Sequence, residues 1–205
     1  MQKTEWVLFD VGGVLLDWRR SSAALADFLE VDHGTLLDAM FTHAPLMNVG
    51  TITPQEGWKR ILHDLGKDDQ DPQETILRWR AKEFWLADTL KLVQELHNAG
   101  YKLAVFSNSW LGLSNDSTDP TMPAEMARFS YILDSSKEKM KKPDPAFYEL
   151  AEQTVGAKGG SIFFIDDDRP NLVPASERGW LTYHYDMGED RSGQKANAEL
   201  RTKLL

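Results

Sequence analysis

Three short apolar runs each end abruptly in a polar residue able to do chemistry, and this recurrence restricts the fold more than any other feature of the chain. The first, Trp6-Val7-Leu8-Phe9, stops at Asp10 and breaks at once into Val11-Gly12-Gly13-Val14. The second, Leu103-Ala104-Val105-Phe106, ends in Ser107-Asn108-Ser109. The third, Ser161 to Ile165, runs into Asp166-Asp167-Asp168, with Asn171 following. Short continuous apolar runs bounded by turn signals read as strands buried on both faces. In open α/β sheets, ligands bind outside the carboxyl ends of the strands. Asp10, Ser107 and the Asp166-Asp167 pair are therefore expected along one sheet edge. Gly12 and Gly13 let backbone N–H groups approach an anion closely, because no Cβ stands between.

A fourth segment adds charge. Lys139-Met140-Lys141-Lys142-Pro143-Asp144-Pro145 places a basic cluster directly before a Pro-Asp-Pro helix start. Each part alone has an ordinary reading: Asp before Gly marks a turn, and Ser-Asn or Asp after a strand caps the next helix. Lys137, Lys139 and Lys141 read as solvated, whereas proline fixes the backbone behind Lys142. The order strand–Asp, strand–Ser, Lys, strand–Asp-Asp is what ordinary readings do not explain together.

In that order the segments resemble the haloacid dehalogenase superfamily of hydrolases. Its four motifs look like Phe9-Asp10-Val11-Gly12-Gly13-Val14, Ser107-Asn108, Lys142-Pro143 and Asp166-Asp167 with Asn171. The flanks, Ser107-Asn108-Ser109-Trp110 and Lys142-Pro143-Asp144-Pro145 with Phe147-Tyr148, are similar to one subgroup. It holds glucose-1-phosphate-phosphatase-like proteins and the N-terminal phosphatase domains of soluble epoxide hydrolases. The resemblance implies an α/β fold: a Rossmann-like parallel sheet core (residues 1–16 and 87–205) with an inserted helical cap of C1 type (17–86). It also implies a Mg²⁺-dependent phosphatase acting on a small phosphorylated metabolite, a sugar phosphate being one candidate.

The chemistry assigned by that resemblance follows charge. Phosphate ester and attacking carboxylate repel each other, and a hard divalent cation on oxygen ligands offsets this. Asp10 would attack phosphorus, forming an aspartyl-phosphate. Ser107 and Lys142 would donate to the transferring phosphoryl group, with Gly12, Gly13 and Asn108 contacting the substrate. Mg²⁺ would be held by Asp10, the Gly12 carbonyl, Asp166 as a direct ligand, and Asp167, which binds through water or orients Lys142. Asp168 is expected to cap the helix beginning near Pro170. For Asn171, a bond back to the motif loop and a plain surface position are both open.

The chain departs from the family pattern at Gly12. Many phosphatases of the superfamily carry an acid there, two residues after the nucleophile, and general acid–base catalysis contributes ~10²–10⁴ in rate. A cap residue, a metal-bound water or a leaving group that needs little protonation could compensate; His43 is a candidate acid. A non-catalytic module binding a phospho-ligand or a protein is the alternative. Metal-independent dehalogenation fits less well, because paired acids repel its carboxylate substrate.

Bulk properties set outer bounds. The chain has 205 residues, 41% hydrophobic and 27% charged, as in globular proteins. A net charge of −9 argues against nucleic acid, which needs clustered cations. No apolar stretch approaches the ~20 residues of a membrane span, and the N-terminus does not read as a signal peptide. With no cysteine, disulfides and thiolate chemistry are excluded, and a cytoplasmic monomer or homodimer is expected.

Between Asp17 and Trp85 the patterns are helical, about four helices, with Thr53 capping one and Asp17 capping or hinging the first. Alternation then resumes: helix 89–99, strands 102–106 and 131–133, helix 144–155, strand 161–165, helix 170–178, strand 180–185. Asn115 to Pro123 reads as a loop or flap, and the polar tail after Gly188 as weakly packed. Trp18, Arg19, Arg20, His43, Met47, Trp58, Trp79, Arg80 and Trp85 are residue types that a sugar or aromatic substrate could use; packing between cap helices is the other reading of the tryptophans, and a solvated helix start that of Arg19 and Arg20.

Overall fold

Successive residues of a strand face opposite sides of its sheet, and all four residues of β1 (Trp6–Phe9) are buried, so this strand needs cover on both faces. The computed structural model describes residues 3–81, 84–110, 112–118 and 122–205. It provides β2 (Lys102–Ser107), β3 (Phe129–Asp134), β4 (Ile162–Asp166) and β5 (Leu181–His184). The order is β3-β2-β1-β4-β5, every pairing parallel. The chain is thus an α/β protein with a Rossmann-like sheet.

Helices cover both faces. After β1 come α1 (Trp18–Leu29), α2 (His33–Asn48), α3 (Pro54–Asp64) and α4 (Pro72–Ala81). Then follow α5 (Ala87–Asn98), the single turn α6 (Ser135–Glu138), α7 (Pro145–Val155), α8 (Arg169–Glu177) and α9 (Gln194–Leu204). Val7, Phe9, Val105 and Ile165 pack with Leu92 and Leu96 of α5 and Leu200 of α9. Their strand neighbours Trp6, Leu8, Phe106 and Phe164 pack with Phe147 and Tyr148 of α7 and Ala175 of α8. Full burial of one such Leu or Phe contributes about 1.5–3 kcal/mol.

Helices α1 to α4 form an insertion with a core of its own, built on Leu25, Leu36, Met40, Trp58, Ile61 and Trp79. The chain enters and leaves it side by side: Asp17 N–H donates to Phe84 O (2.9 Å) and Leu86 N–H to Leu15 O (2.8 Å). Asp17 caps α1, accepting from Arg20 N–H at 3.1 Å, as expected. Thr53 caps α3, accepting from Glu56 N–H at 3.1 Å.

Two expectations about packing need correction. Strand β3 is twice the expected length, because its residues complete the ladder with β2 from Leu103–Phe129 to Ser107–Asp134. The tail after Gly188 is not weakly packed. Ala196 and Leu200 recur at helical spacing and are buried in α9, Arg201 donates to Glu95 Oε2 at 2.6 Å, and Asn197 reaches Asp88 Oδ2 at 3.0 Å. Polar composition concealed one narrow apolar stripe. Of the Asn115–Pro123 segment, residues 119–121 lie outside the described residues; 115–118 are irregular or turn.

Candidate active site

Parallel pairing sets the carboxyl ends of β1, β2 and β4 side by side. Phe9 is in register with both Val105 and Ile165, so Asp10, Ser107 and Asp166 emerge together. Asp10 N–H is fixed to Ile165 O at 2.9 Å. Lys142 arrives from the turn before α7, fully buried, with its Nζ 3.0 Å from Asp10 Oδ1 and 2.5 Å from Asp166 Oδ2. Its neighbours Lys137, Lys139 and Lys141 are exposed, although Lys137 Nζ also donates to Leu113 O at 3.2 Å.

Asn108 lines the cleft and at the same time braces Lys142. Its Nδ2 donates to Lys142 O (2.9 Å) and its Oδ1 accepts from Lys142 N–H (2.7 Å), so it fastens the lysine's main chain to the end of β2. Gly13 is tied into its own turn and packs closely against Asp167. The Gly13 N–H donates inward to Leu16 O at 2.8 Å. At φ +82°, a Cβ on Gly13 would fall 2.0 Å from Asp167 Oδ2; the carboxylate occupies the space a side chain would need.

Consecutive acids part ways here. Asp166 is saturated with donors: Lys142 and Asn171 Nδ2 (3.2 Å) at Oδ2, Asp168 N–H (2.8 Å) and Asn171 Nδ2 (3.1 Å) at Oδ1. Asn171 is buried and itself held by Tyr148, whose hydroxyl donates to Asn171 O at 2.6 Å; it bonds back to the motif. The Asp167 carboxylate takes no hydrogen bond from a described residue. Asp166, not Asp167, therefore orients Lys142. Asp168 stands at the N-cap of α8, but its side chain makes no cap bond; its carbonyl accepts from Asn171 N–H instead.

Three carboxylates meet one ammonium, and the titration follows. Burial raises the Asp10 pKa, and together with the Asp166 charge it outweighs Lys142 and a Ser107 hydrogen bond. Burial pulls Lys142 down, but Asp10 and Asp166 overcome it and hold the ammonium charged. Asp167 is pushed up to about 8 by burial, then by Asp10 and Asp166. Asp10, Asp166 and Asp167 each bring a carboxylate oxygen within 4.8 Å of the others. An all-oxygen set with excess negative charge suits a hard divalent cation.

A cleft of about 530 Å³ opens over this cluster. Asp10, Gly12, Ser107, Asn108 and Asp167 line its floor, and Trp18, Arg19, Met40, Phe41 and Trp79 of the insertion line its walls. Sequence reading singled out Trp18, Arg19 and Trp79 but missed Met40 and Phe41; Trp110 was noted only as a flank of the Ser107-Asn108-Ser109 turn, not as a residue of the cleft. Among the described residues, Arg20, His43, Met47, Trp58, Arg80 and Trp85 do not line the cleft. His43 instead pairs with Asp64 at 2.7 Å.

Residues 4–176 match the family of haloacid dehalogenase-like hydrolases, and the chain belongs to that family. Among curated relatives, bifunctional epoxide hydrolase 2 of Mus musculus is 32% identical over 89 residues, covering 42% of this chain and 16% of that protein. The chain thus spans only a small part of that relative. The sesquiterpene phosphatase of Aspergillus oryzae is 26% identical, with 86% of this chain and 87% of that protein covered. A solved haloacid dehalogenase family enzyme from Bacteroides thetaiotaomicron, in complex with magnesium and inorganic phosphate, is 26% identical. Its TM-score is 0.69, over 92% of this chain and 98% of that one.

Proposed function

We propose that this hydrolase is a Mg²⁺-dependent phosphatase of small phosphate monoesters, acting through an aspartyl-phosphate on Asp10. The observation that carries it is the charge cluster: three convergent carboxylates opposite one buried lysine, under a cleft. Such a site is short of positive charge, and a phosphate dianion can enter only alongside a cation. Residues fit for Mg²⁺ are Asp10, Asp167 and the Gly12 carbonyl, with Asp166 completing the charge around it. When bound, the ion would neutralise phosphoryl and carboxylate charge and bring the two within reach.

The remaining work falls to the chain. Asp10, held to β4 by its own N–H, presents a carboxylate oxygen to phosphorus. Ser107 Oγ and Lys142 Nζ meet the phosphoryl oxygens, and both are buried, where such donors act more strongly than in water. Asn108 and Asp166 keep Lys142 in place. The insertion, residues 17–86, serves as a cap over the core of residues 1–16 and 87–205, and its wall residues select the alcohol portion of the ester. Similarity to a phosphatase covering most of this chain supports the reaction class.

Phosphate release from a panel of monoesters, with and without Mg²⁺, tests the reading beside Asp10→Asn. Turnover that needs both the ion and Asp10 is expected. Release that persists in Asp10→Asn would refute it, and a folded protein that binds Mg²⁺ and esters without turnover would make the chain a binding module.

A further inference from the structure

Gly12 leaves no acid where many relatives in the superfamily carry one, and the structure shows what fills the place. A Cβ built on Gly12 would lie 3.3 Å from Trp18 Cδ1 and 4.0 Å from its Nε1. An indole edge therefore stands where an acidic side chain would project. Trp18 is held there from two sides. Phe41 packs against it edge to face, centroids 5.9 Å apart, and the Arg19 guanidinium lies 5.0 Å from its ring centroid. The wall continues through Met40 and through Trp79, whose ring meets that of Trp110 from the β2 turn at 5.5 Å.

Two independent features then point to one ligand chemistry. Among the described residues of the insertion, no carboxyl or imidazole group lines the cleft to protonate a leaving oxygen: its one charged lining residue there is Arg19, and His43 is engaged with Asp64. The acids that do line it are Asp10 and Asp167, in the charge cluster, and Asp168, on their side at the start of α8. An alkoxide, the conjugate base of an alcohol about as weakly acidic as water (pKa ~15.7), leaves poorly without a proton. A phenolate, conjugate to an acid of pKa ~10, leaves without one. Separately, the described residues on the insertion's side of the cleft offer aromatic rings and few polar partners, Arg19 and Asn48. A sugar would bury hydroxyls there unpaired, which is costly, whereas a planar ring stacks.

We propose that the cleft takes phosphate monoesters of aromatic alcohols, phenols above all, with Trp18 as the ring-binding wall. The inference rests on the phosphatase reading above. An Asp10 carboxylate oxygen bonds to phosphorus as the phosphorus–aryloxide bond breaks. The aryloxide leaves with the electron pair and takes a proton from solvent. Water then attacks phosphorus, the bond to Asp10 breaks, and phosphate departs with the water's protons.

The test compares phenyl, benzyl and cyclohexyl phosphates and glucose 6-phosphate as substrates for wild type, Trp18→Ala and Asp168→Asn, with Mg²⁺ present. Phenyl phosphate is expected to exceed benzyl phosphate in kcat by roughly 100-fold or more, the scale of a missing general acid. Benzyl phosphate, an alkoxide leaver with a ring, should keep a KM roughly tenfold below that of glucose 6-phosphate. Trp18→Ala should raise KM for both aromatic esters while the Ki of inorganic phosphate, which meets only the floor, changes less than about twofold. Three results would overturn the inference and leave the phosphatase standing. They are glucose 6-phosphate turned over as efficiently as phenyl phosphate, a Trp18→Ala protein with unchanged KM for aromatic esters, or an Asp168→Asn protein that loses alkyl-ester turnover selectively. If no ester is hydrolysed in an Mg²⁺- and Asp10-dependent way, the phosphatase reading falls and takes this inference with it.

Discussion

Lys142 and Asp166 form an ion pair with no solvent contact on either side chain, Nζ to Oδ2 2.5 Å, and the same ammonium reaches Asp10 at 3.0 Å. Burying charges is tolerable only while every partner is present, because a carboxylate left alone in the interior keeps its desolvation cost without the attraction that offset it.

Lys142→Met should therefore abolish phosphate release and also destabilise the fold, by about 3–5 kcal/mol on the scale of broken buried pairs. Urea unfolding at neutral pH measures the second effect. A variant as stable as wild type would show that the pair is not buried as described.

Asp167 gives a pH signature. Its pKa lies near 8 in the folded protein without metal, against ~3.9 in an unfolded chain. Between about pH 4 and 8 the native state thus holds a proton that the unfolded state has lost. Stability should fall as pH rises through this window, by up to about 1.4 kcal/mol per pH unit, and level off above it. Melting in EDTA across pH reads this slope. Asp167→Asn should flatten it and remove the stabilisation by Mg²⁺ expected at pH 8; an unaltered slope in that variant would assign the proton elsewhere.

Gly13→Ala separates steric from conformational cost. A Cβ there would collide with Asp167 Oδ2, whereas Gly100, at φ +92°, has nothing within 4 Å of its Cβ position. Both substitutions strain a positive-φ backbone by about 1–2 kcal/mol. Only Gly13→Ala should raise the Mg²⁺ concentration needed for half-maximal activity, by displacing Asp167. Equal Mg²⁺ titrations for the two variants would contradict the packing of Asp167 into the Gly13 notch.

Arg191 closes the hinge of the insertion. Its Nε donates to Asp17 Oδ2 at 2.7 Å, and its Nη2 donates to Oδ1. Burial alone would raise the Asp17 pKa, but Arg191 and the N–H of Arg20 outweigh it and hold the carboxyl low. Such a group stabilises above its unfolded pKa, and the benefit is lost as pH falls through the folded value. Arg191→Met should cost roughly 1–3 kcal/mol at pH 7, leaving a buried acceptor unpaired. Its deficit against wild type should narrow as the pH drops below ~4, where Asp17 of the unfolded chain begins to take up a proton. A constant deficit from pH 7 to 3 would place the effect outside this ion pair.

The apolar runs at Trp6, Leu103 and Ile162 were legible as strands because burial on both faces leaves them without polar alternation. Their polar ends marked Asp10, Ser107 and Asp166 as neighbours before any coordinates, since parallel strands align their carboxyl ends. The tertiary contacts of Asn108 and Gly13 were not legible. Asn108 meets Lys142 across 34 residues of chain, and the Gly13 notch is defined only by Asp167 filling it. Helix α9 was missed for a different reason: its stripe of Ala196 and Leu200 is too narrow to show in a polar composition.

By itself, then, the sequence determined the order of strands and helices along the chain as far as β5, and the identity of the residues at the sheet edge, since both follow from periodicity and chain direction. Tertiary structure alone decided which of two adjacent acids neutralises Lys142 and which faces the cleft unpaired. It also decided that Trp18, rather than an acid, stands over Gly12. Those outcomes depend on side-chain directions and on contacts between segments far apart in the chain, and neither is encoded in local pattern.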